Sequence, residues 1–291
     1  MKLNEIMASA LRSFFICAAL LALSSCQSNS GKKQELKIVS QDAMAAMNAV
    51  RLEVQTTLDK LHWSLKSAAA TLGKRGLNGQ GAQTALKNLY SAHRDLVNCG
   101  TVDLNGKIQA AGPVEYRSEG IEKLKKQTEL MKELKKRSPQ MGKAFKTDSG
   151  LLAVSLTYPV ITPDGQLLGN VYLLFMPQPM IARTVESEIR NIPVNIWVIQ
   201  PNGLILYDRD PEEVGQNILT DKYYAPYESL REFTRMIAKQ DSGTGKYEFP
   251  TKGEKNKAIK TAKWTSVEEF GSKWRIVMNM EDNALRSIMQ Q

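Results

Sequence analysis

The sequence predicts an α+β protein: one long N-terminal helix followed by two tandem antiparallel-sheet lobes. Three observations predict it. An amphipathic stripe runs without a proline through residues 36–73. Three hairpin signatures follow: Asp103-Leu104-Asn105-Gly106-Lys107-Ile108, Thr162-Pro163-Asp164-Gly165-Gln166-Leu167 and Gln200-Pro201-Asn202-Gly203-Leu204-Ile205. Helical stretches alternate with these hairpins, so the second module reads as a degenerate repeat of the first.

The stripe comes first. Met44, Met47, Val54, Leu58, Leu61, Leu65, Ala68 and Leu72 fall on three- and four-residue steps, with Arg51 alone breaking the run. That spacing is one face of a helix. Its length admits a coiled-coil seam or packing along the flank of the rest of the chain. The alanines in the stripe and the lack of flanking charge pairs favour the flank. The glycine-rich residues 73–81 end it. Each hairpin then carries Asn-Gly or Asp-Gly between β-prone runs, the dipeptides that supply positive φ. LLAVSLTYPVI and LLGNVYLLF flank the second, VNIWVIQ and LILYD the third. Helices are expected over Glu119–Arg137, near 178–191 and over Tyr227–Lys239. GKYEFP, NKAIKTAKWTS and KWRIVMNM then return to strands, and a short helix closes the chain from about residue 281.

Length and composition fit this plan. The chain has 291 residues, 42% hydrophobic and 24% charged, enough for one large domain or two small ones. Residues 1–26 look like an export signal of the lipoprotein type. Lys2 and Arg12 precede the uncharged run Phe14–Leu23, and Leu23-Ser24-Ser25-Cys26 places small residues before a cysteine. The run is shorter than the roughly 20 residues a spanning helix needs. The expectation is cleavage before Cys26 and lipidation (palmitate) of its thiol, with an ordinary signal peptide or short anchor as the alternative. The product would be held to a membrane of the cell envelope, facing the periplasm or exterior.

The net charge is +9. Arg117 to Lys146 holds ten basic residues against four acidic ones. Export argues against nucleic acid, which leaves a solvated helix face or the steering of anionic solutes. Catalytic motifs are missing: there is no Gly-x-Ser-x-Gly elbow and no His-Glu-x-x-His. The two histidines, His62 and His93, and the single remaining cysteine, Cys99, give no support for a metal cluster. Asp208, Asp210, Glu212 and Glu213 read as a solvated turn. Trp63, Trp197, Trp264 and Trp274 read as core. No enzyme and no cofactor is expected.

Taken together, residues 36–285 resemble the double Cache family, the two-lobed PAS-like sensor domains of chemoreceptors and histidine kinases. GKAFKTDSGLLAVSLTYPVITPDGQLLGNVYLLF resembles the closing strands of the membrane-distal lobe. NIWVIQPNGLILYDRDPEEVGQNIL resembles the start of the proximal lobe, with Asp208 and Gly215 in its "yD…p…iG…nl" run, and SGTGKYEF and TAKWTSVEEFGSKWRIVM its closing strands. With the signal peptide at 1–25, the tether at 26–35 and the long helix at 36–73 read from the residues, the resemblance implies a distal lobe at 74–180 and a proximal lobe at 181–285, leaving a tail at 286–291. It implies a small molecule bound in the distal lobe. The set by which many members hold amino acids is not reproduced. Val114-Glu115-Tyr116-Arg117 stands at its Arg-x-Trp-Tyr run, and Lys146 and Leu174 stand near its aspartates. Lys146 with Arg117 would suit an anion such as a carboxylate. The expected ligand contacts are Tyr116, Arg117, Lys146, Ser155, Thr157 and Tyr172, the strand members taken from inward alternation. A sensor without an output domain needs a separate signalling receptor or kinase. The alternative is an envelope interaction protein that keeps the fold without a ligand.

Overall fold

The computed structural model describes residues 41–112, 135–190, 192–250 and 257–281. The export signal, Cys26, the tether, most of the basic helix and the closing helix lie outside the described residues. Among the described residues no helix is long and apolar enough to cross a membrane.

Helix α1 runs through residues 41–75. Met47, Val50, Val54, Leu58, Leu61, Leu65, Ala68 and Leu72 are buried along it. Val50 carries the stripe past Arg51. This face enters one apolar cluster with both sheets: Val154, Leu156, Leu173 and Phe175 from the first, Ile196, Val198, Trp274 and Ile276 from the second. The helix therefore packs on the flank of both lobes. Trp63 departs from expectation. It is 60% exposed on the opposite face, stacked on His62 with Lys66 Nζ 4.5 Å above its ring.

The glycine run does end α1, but helix α2 (Gly79–Ser91) begins inside it. Burial of Ala82, Ala85, Leu86 and Leu89 outweighs the poor helix propensity of Gly79 and Gly81. Strands β1 (Leu96–Asp103), β2 (Ile108–Gly112), β3 (Gln140–Met141), β4 (Phe145–Lys146), β5 (Leu152–Ile161) and β6 (Leu167–Phe175) follow. They form the distal sheet in the order β2-β1-β6-β5-β3, with β4 also on β5. Helix α3 (Pro177–Glu188) leads to β7 (Asn195–Ile199) and β8 (Ile205–Tyr207). After a 3-10 turn (Lys222–Tyr224) come helix α4 (Glu228–Lys239) and strands β9 (Gly243–Pro250), β10 (Lys257–Glu269) and β11 (Ser272–Glu281). The proximal sheet runs β8-β7-β11-β10-β9. Each sheet thus places its last strand beside its first, and the repeat legible in the sequence is a repeat of topology.

The three hairpin turns share one geometry. Gly106, Gly165 and Gly203 have φ of 77, 90 and 92°. Each donates its N–H three residues back, to Asp103, Thr162 and Gln200 respectively. The residue before each glycine keeps negative φ, so these are type I turns closed by a left-handed glycine and a bulge rather than two-residue turns.

Cys99 is buried and its thiol is pushed up to about 12 by burial. Arg275 is also buried and fixes α4 over the proximal sheet. Its Nε donates to Ile237 O at 2.7 Å and its Nη2 to Ala238 O at 3.3 Å. A guanidinium on the last carbonyls of α4 satisfies orphan acceptors and complements the helix dipole.

The tip of the β10–β11 hairpin docks on α1. Gln55 makes both amide bonds to Glu268, donating to its carbonyl at 3.1 Å and accepting its N–H at 3.1 Å. One turn or two further along, His62 Nδ1 meets the buried Glu269 Oε1 at 3.0 Å. Burial pushes Glu269 up to about 7, with Asp59 adding to it, and burial holds His62 below its ordinary value. Both shifts favour the uncharged forms.

Two outcomes are expected. Arg275→Met should cost about 3 kcal/mol in denaturant unfolding, from the loss of charge-assisted bonds to α4. An unchanged midpoint would refute the capping role. Glu269 has a folded-state value above its unfolded one, so its stabilisation is complete below the unfolded carboxylate range and is lost as pH rises through about 7. His62 acts in the opposite sense, losing stabilisation as pH falls. Glu269→Gln should therefore gain on the parent protein between about pH 5 and about pH 8, by up to roughly 2 kcal/mol. A difference that does not change with pH would refute the raised Glu269 value.

Candidate functional site

The distal sheet has two unlike faces, set by strand alternation. Cys99, Val154, Leu156, Val171, Leu173 and Phe175 point to α1 and α2. The other face carries a smaller apolar group, Val97, Val102, Ala153, Tyr172 and Leu174, with Phe145 and Met176 against it. Polar residues are interleaved there. Thr157 pairs with Tyr172, which pairs with Gly100, giving one row across β5, β6 and β1. Ser155, Leu174 and Asn98 form the next row in the same way.

Tyr172 is the centre of this face. It is 4% exposed, and among the described residues its hydroxyl has no hydrogen-bond partner. Burial raises its pKa beyond the ordinary tyrosine range, so the phenol is a neutral donor and acceptor. Its ring lies across Gly100, where an added Cβ would come within 2.6 Å of the hydroxyl oxygen. Glycine at 100 is what lets the phenol lie flat along β1. Ser155 is buried and Thr157 half-buried beside it.

Of the expected contacts, the structure brings Ser155, Thr157 and Tyr172 onto one face. Lys146 does not join them. It pairs with Leu152, on the opposite side of β4 from Phe145, and is exposed. Its side chain reaches the proximal lobe, where a Cβ added to Gly215 would lie 3.2 Å from Lys146 Cε. The short β4 reverses the expected facing because it joins β5 only after the break at Gly142–Ala144. Tyr116 and Arg117 lie outside the described residues. Asn98 and Asn170 are buried on the Tyr172 face, and sequence reasoning missed them. Alternation from Tyr172 along β6 would have found Asn170, whereas Asn98 needed the pairing of β1 with β6. Among the described residues no three His, Cys, Asp or Glu side chains converge to hold a metal ion.

Residues 56–177, which hold most of α1 and the distal lobe, match the model of the HK/GC/chemotaxis protein-like sensor domain. No curated protein matches the sequence. Among solved structures, an extracellular ligand binding receptor from Desulfohalobium retbaense DSM5692 is 25% identical with a TM-score of 0.66. The alignment covers 81% of this chain and 39% of that receptor, so the chain spans about two fifths of its length. The ligand binding domain of the Pseudomonas aeruginosa PAO1 amino acid chemoreceptor PctB, in complex with L-Gln, has a TM-score of 0.59 at 12% identity, covering 86% of this chain and 93% of that one. The corresponding domain of the Pseudomonas fluorescens chemoreceptor CtaA, in complex with L-isoleucine, has a TM-score of 0.54 at 12% identity, covering 90% and 98%. Residues 56–177 are thus similar to the HK/GC/chemotaxis protein-like sensor domain, and the chain has the two-lobed Cache fold seen in chemoreceptor ligand-binding domains.

Proposed function

We propose that this protein binds a small polar solute on the inner face of its distal sheet and works as an extracytoplasmic sensor. The observation that carries the reading is the buried Tyr172 hydroxyl, without a hydrogen-bond partner among the described residues, aligned with Thr157 and next to the row of Ser155. A buried hydroxyl without a partner costs about 1–3 kcal/mol, and a bound solute would remove that cost. The sensor-domain match over residues 56–177 and the ligands named for PctB and CtaA support the class. A free α-amino acid is less well served. Leu174 stands on this face and Lys146 is turned away from it, so the described face offers neutral hydroxyls and amides.

The finer parts of the reading rest on sequence. The lipobox-like Leu23-Ser24-Ser25-Cys26 supports export and a lipid anchor at Cys26. An anchored sensor of this kind would pass its state to a separate receptor or kinase by a ligand-dependent shift of population.

A thermal-shift panel of organic acids, amino acids, amines and purines tests the binding site. A true ligand at about 100 times its dissociation constant should add roughly 2.7 kcal/mol. Thr157→Val and Tyr172→Phe should abolish the shift. Without ligand, Tyr172→Phe should be as stable as the parent or about 1 kcal/mol better, since it removes an unmet donor. A shift that survives both substitutions would discard this face as the site, and a clear loss of stability in ligand-free Tyr172→Phe would show that the hydroxyl is already paired.

A further inference from the structure

The inner face of the proximal sheet encloses a cavity of about 800 Å³. Strands β7 and β9 form its floor, and the segment from Asp208 to Tyr227 with Leu230 of α4 forms its cover. We propose that this cavity is a second ligand site, independent of the distal one, for a small organic amine that carries an oxygen acceptor at its far end.

The first ground is an unmet donor. Trp197 is 4% exposed, lines the cavity, and among the described residues its indole N–H has no partner. That group can only donate, so it calls for an acceptor atom. Trp264, by contrast, gives its indole N–H to Gln240 O at 3.2 Å. Two residues back along β7, the Asn195 side-chain oxygen is likewise buried, unpartnered and on the cavity wall. Trp197 is part of the proximal core, as expected, and also lines this cavity.

Charge is the second ground. The acidic run read from sequence as a solvated turn is folded over the cavity. Asp208, Asp210, Glu212 and Glu213 line it, against Arg209 and Lys260. Asp208 accepts the Asp210 N–H at 2.8 Å, and Glu213 accepts the Tyr224 hydroxyl. Burial, with Glu213 and Asp210 nearby, pushes Asp208 up to about 6 against the backbone bond and Lys260. A carboxylate in that setting gains from an added cation and not from an anion.

The rings at the cavity mouth are the third. Tyr227 and Phe249 meet edge to face at 4.9 Å, and each already draws a cation: Lys257 Nζ lies 5.5 Å from the Tyr227 ring and Lys260 Nζ 5.6 Å from Phe249. Tyr223, 56% exposed, extends this aromatic wall to the surface. Aromatic faces with carboxylates suit an ammonium group attached to an apolar body.

Isothermal titration calorimetry of the purified full chain tests this with tyramine, ethanolamine and the acid counterpart 4-hydroxyphenylacetate. Saturable binding of tyramine or ethanolamine without binding of the acid is expected. Asp208→Asn should weaken the amine by about tenfold or more with its circular dichroism unchanged, and Trp197→Phe should weaken it further. Tyr172→Phe, in the other lobe, should leave it alone. Failure of both amines to bind, equal binding of the acid, or amine affinity indifferent to Asp208→Asn and Trp197→Phe would overturn the proposal. Amine binding lost in Tyr172→Phe but not in Asp208→Asn would overturn it too, and would assign the amine to the distal face.

Discussion

The apolar stripe of α1 is the constraint on which the other elements depend. One helix face supplies core to both sheets, so neither lobe completes its core without it. The stripe holds because Val50, Val54, Leu58, Leu61 and Leu65 recur at helical spacing over a length that spans two sheets. Side-chain bonds then fix the register of helix against lobes. Gln55 clasps the backbone of Glu268, and His62 Nδ1 lies 3.0 Å from Glu269 Oε1. Between the lobes, the Ala144 N–H donates to the buried Gln200 side-chain oxygen at 3.0 Å. Close-packed interiors do not deform smoothly, so a displacement of the β10–β11 tip has to be absorbed at α1, in the span that also packs the distal sheet.

The two lobes share a strand order yet differ in the chemistry of their inner faces. In the distal lobe that face holds hydroxyls and amides between small apolar residues: Ser155, Thr157, Asn170 and Tyr172. In the proximal lobe it holds rings and carboxylates: Trp197, Tyr247, Asp208 and Glu213. The same strand order thus carries two different linings, which is why fold alone assigns no ligand. The family match ends at residue 177, and the cavity of the proximal lobe lies beyond it.

Much of the architecture was legible because it rests on local signals. The helical period of α1 and the three glycine turns are written in contiguous residues, and the chain obeys them. What stayed illegible depended on pairing across distance. The facing of Lys146 depended on where a two-residue strand joins β5. Asn98 entered the distal face only through the pairing of β1 with β6. Asp208 looked solvated because its neighbours in sequence are acidic, but it is half-buried and lines one cavity with Tyr223, Tyr224 and Lys260, which come from elsewhere in the chain. Helix α2 was hidden by its own glycines, whose low propensity is overridden by packing.

An unmet polar atom marks a site only in the right surroundings. The indole N–H of Trp274 is also buried and unpartnered, but Trp274 sits wholly in the main core against Phe175, ring centroids 6.2 Å apart, and no described cavity adjoins it. Its cost is a packing cost offset by a large buried ring. Tyr172 and Trp197 differ because other polar groups converge with them: Ser155 and Thr157 around the first, Asn195 and the acidic cover around the second. A fold that pairs the Trp264 indole and the Thr101 hydroxyl with nearby carbonyls has the means to satisfy such groups internally. Where such a group remains unsatisfied among the described residues beside other polar side chains, the missing partner is best sought in a ligand.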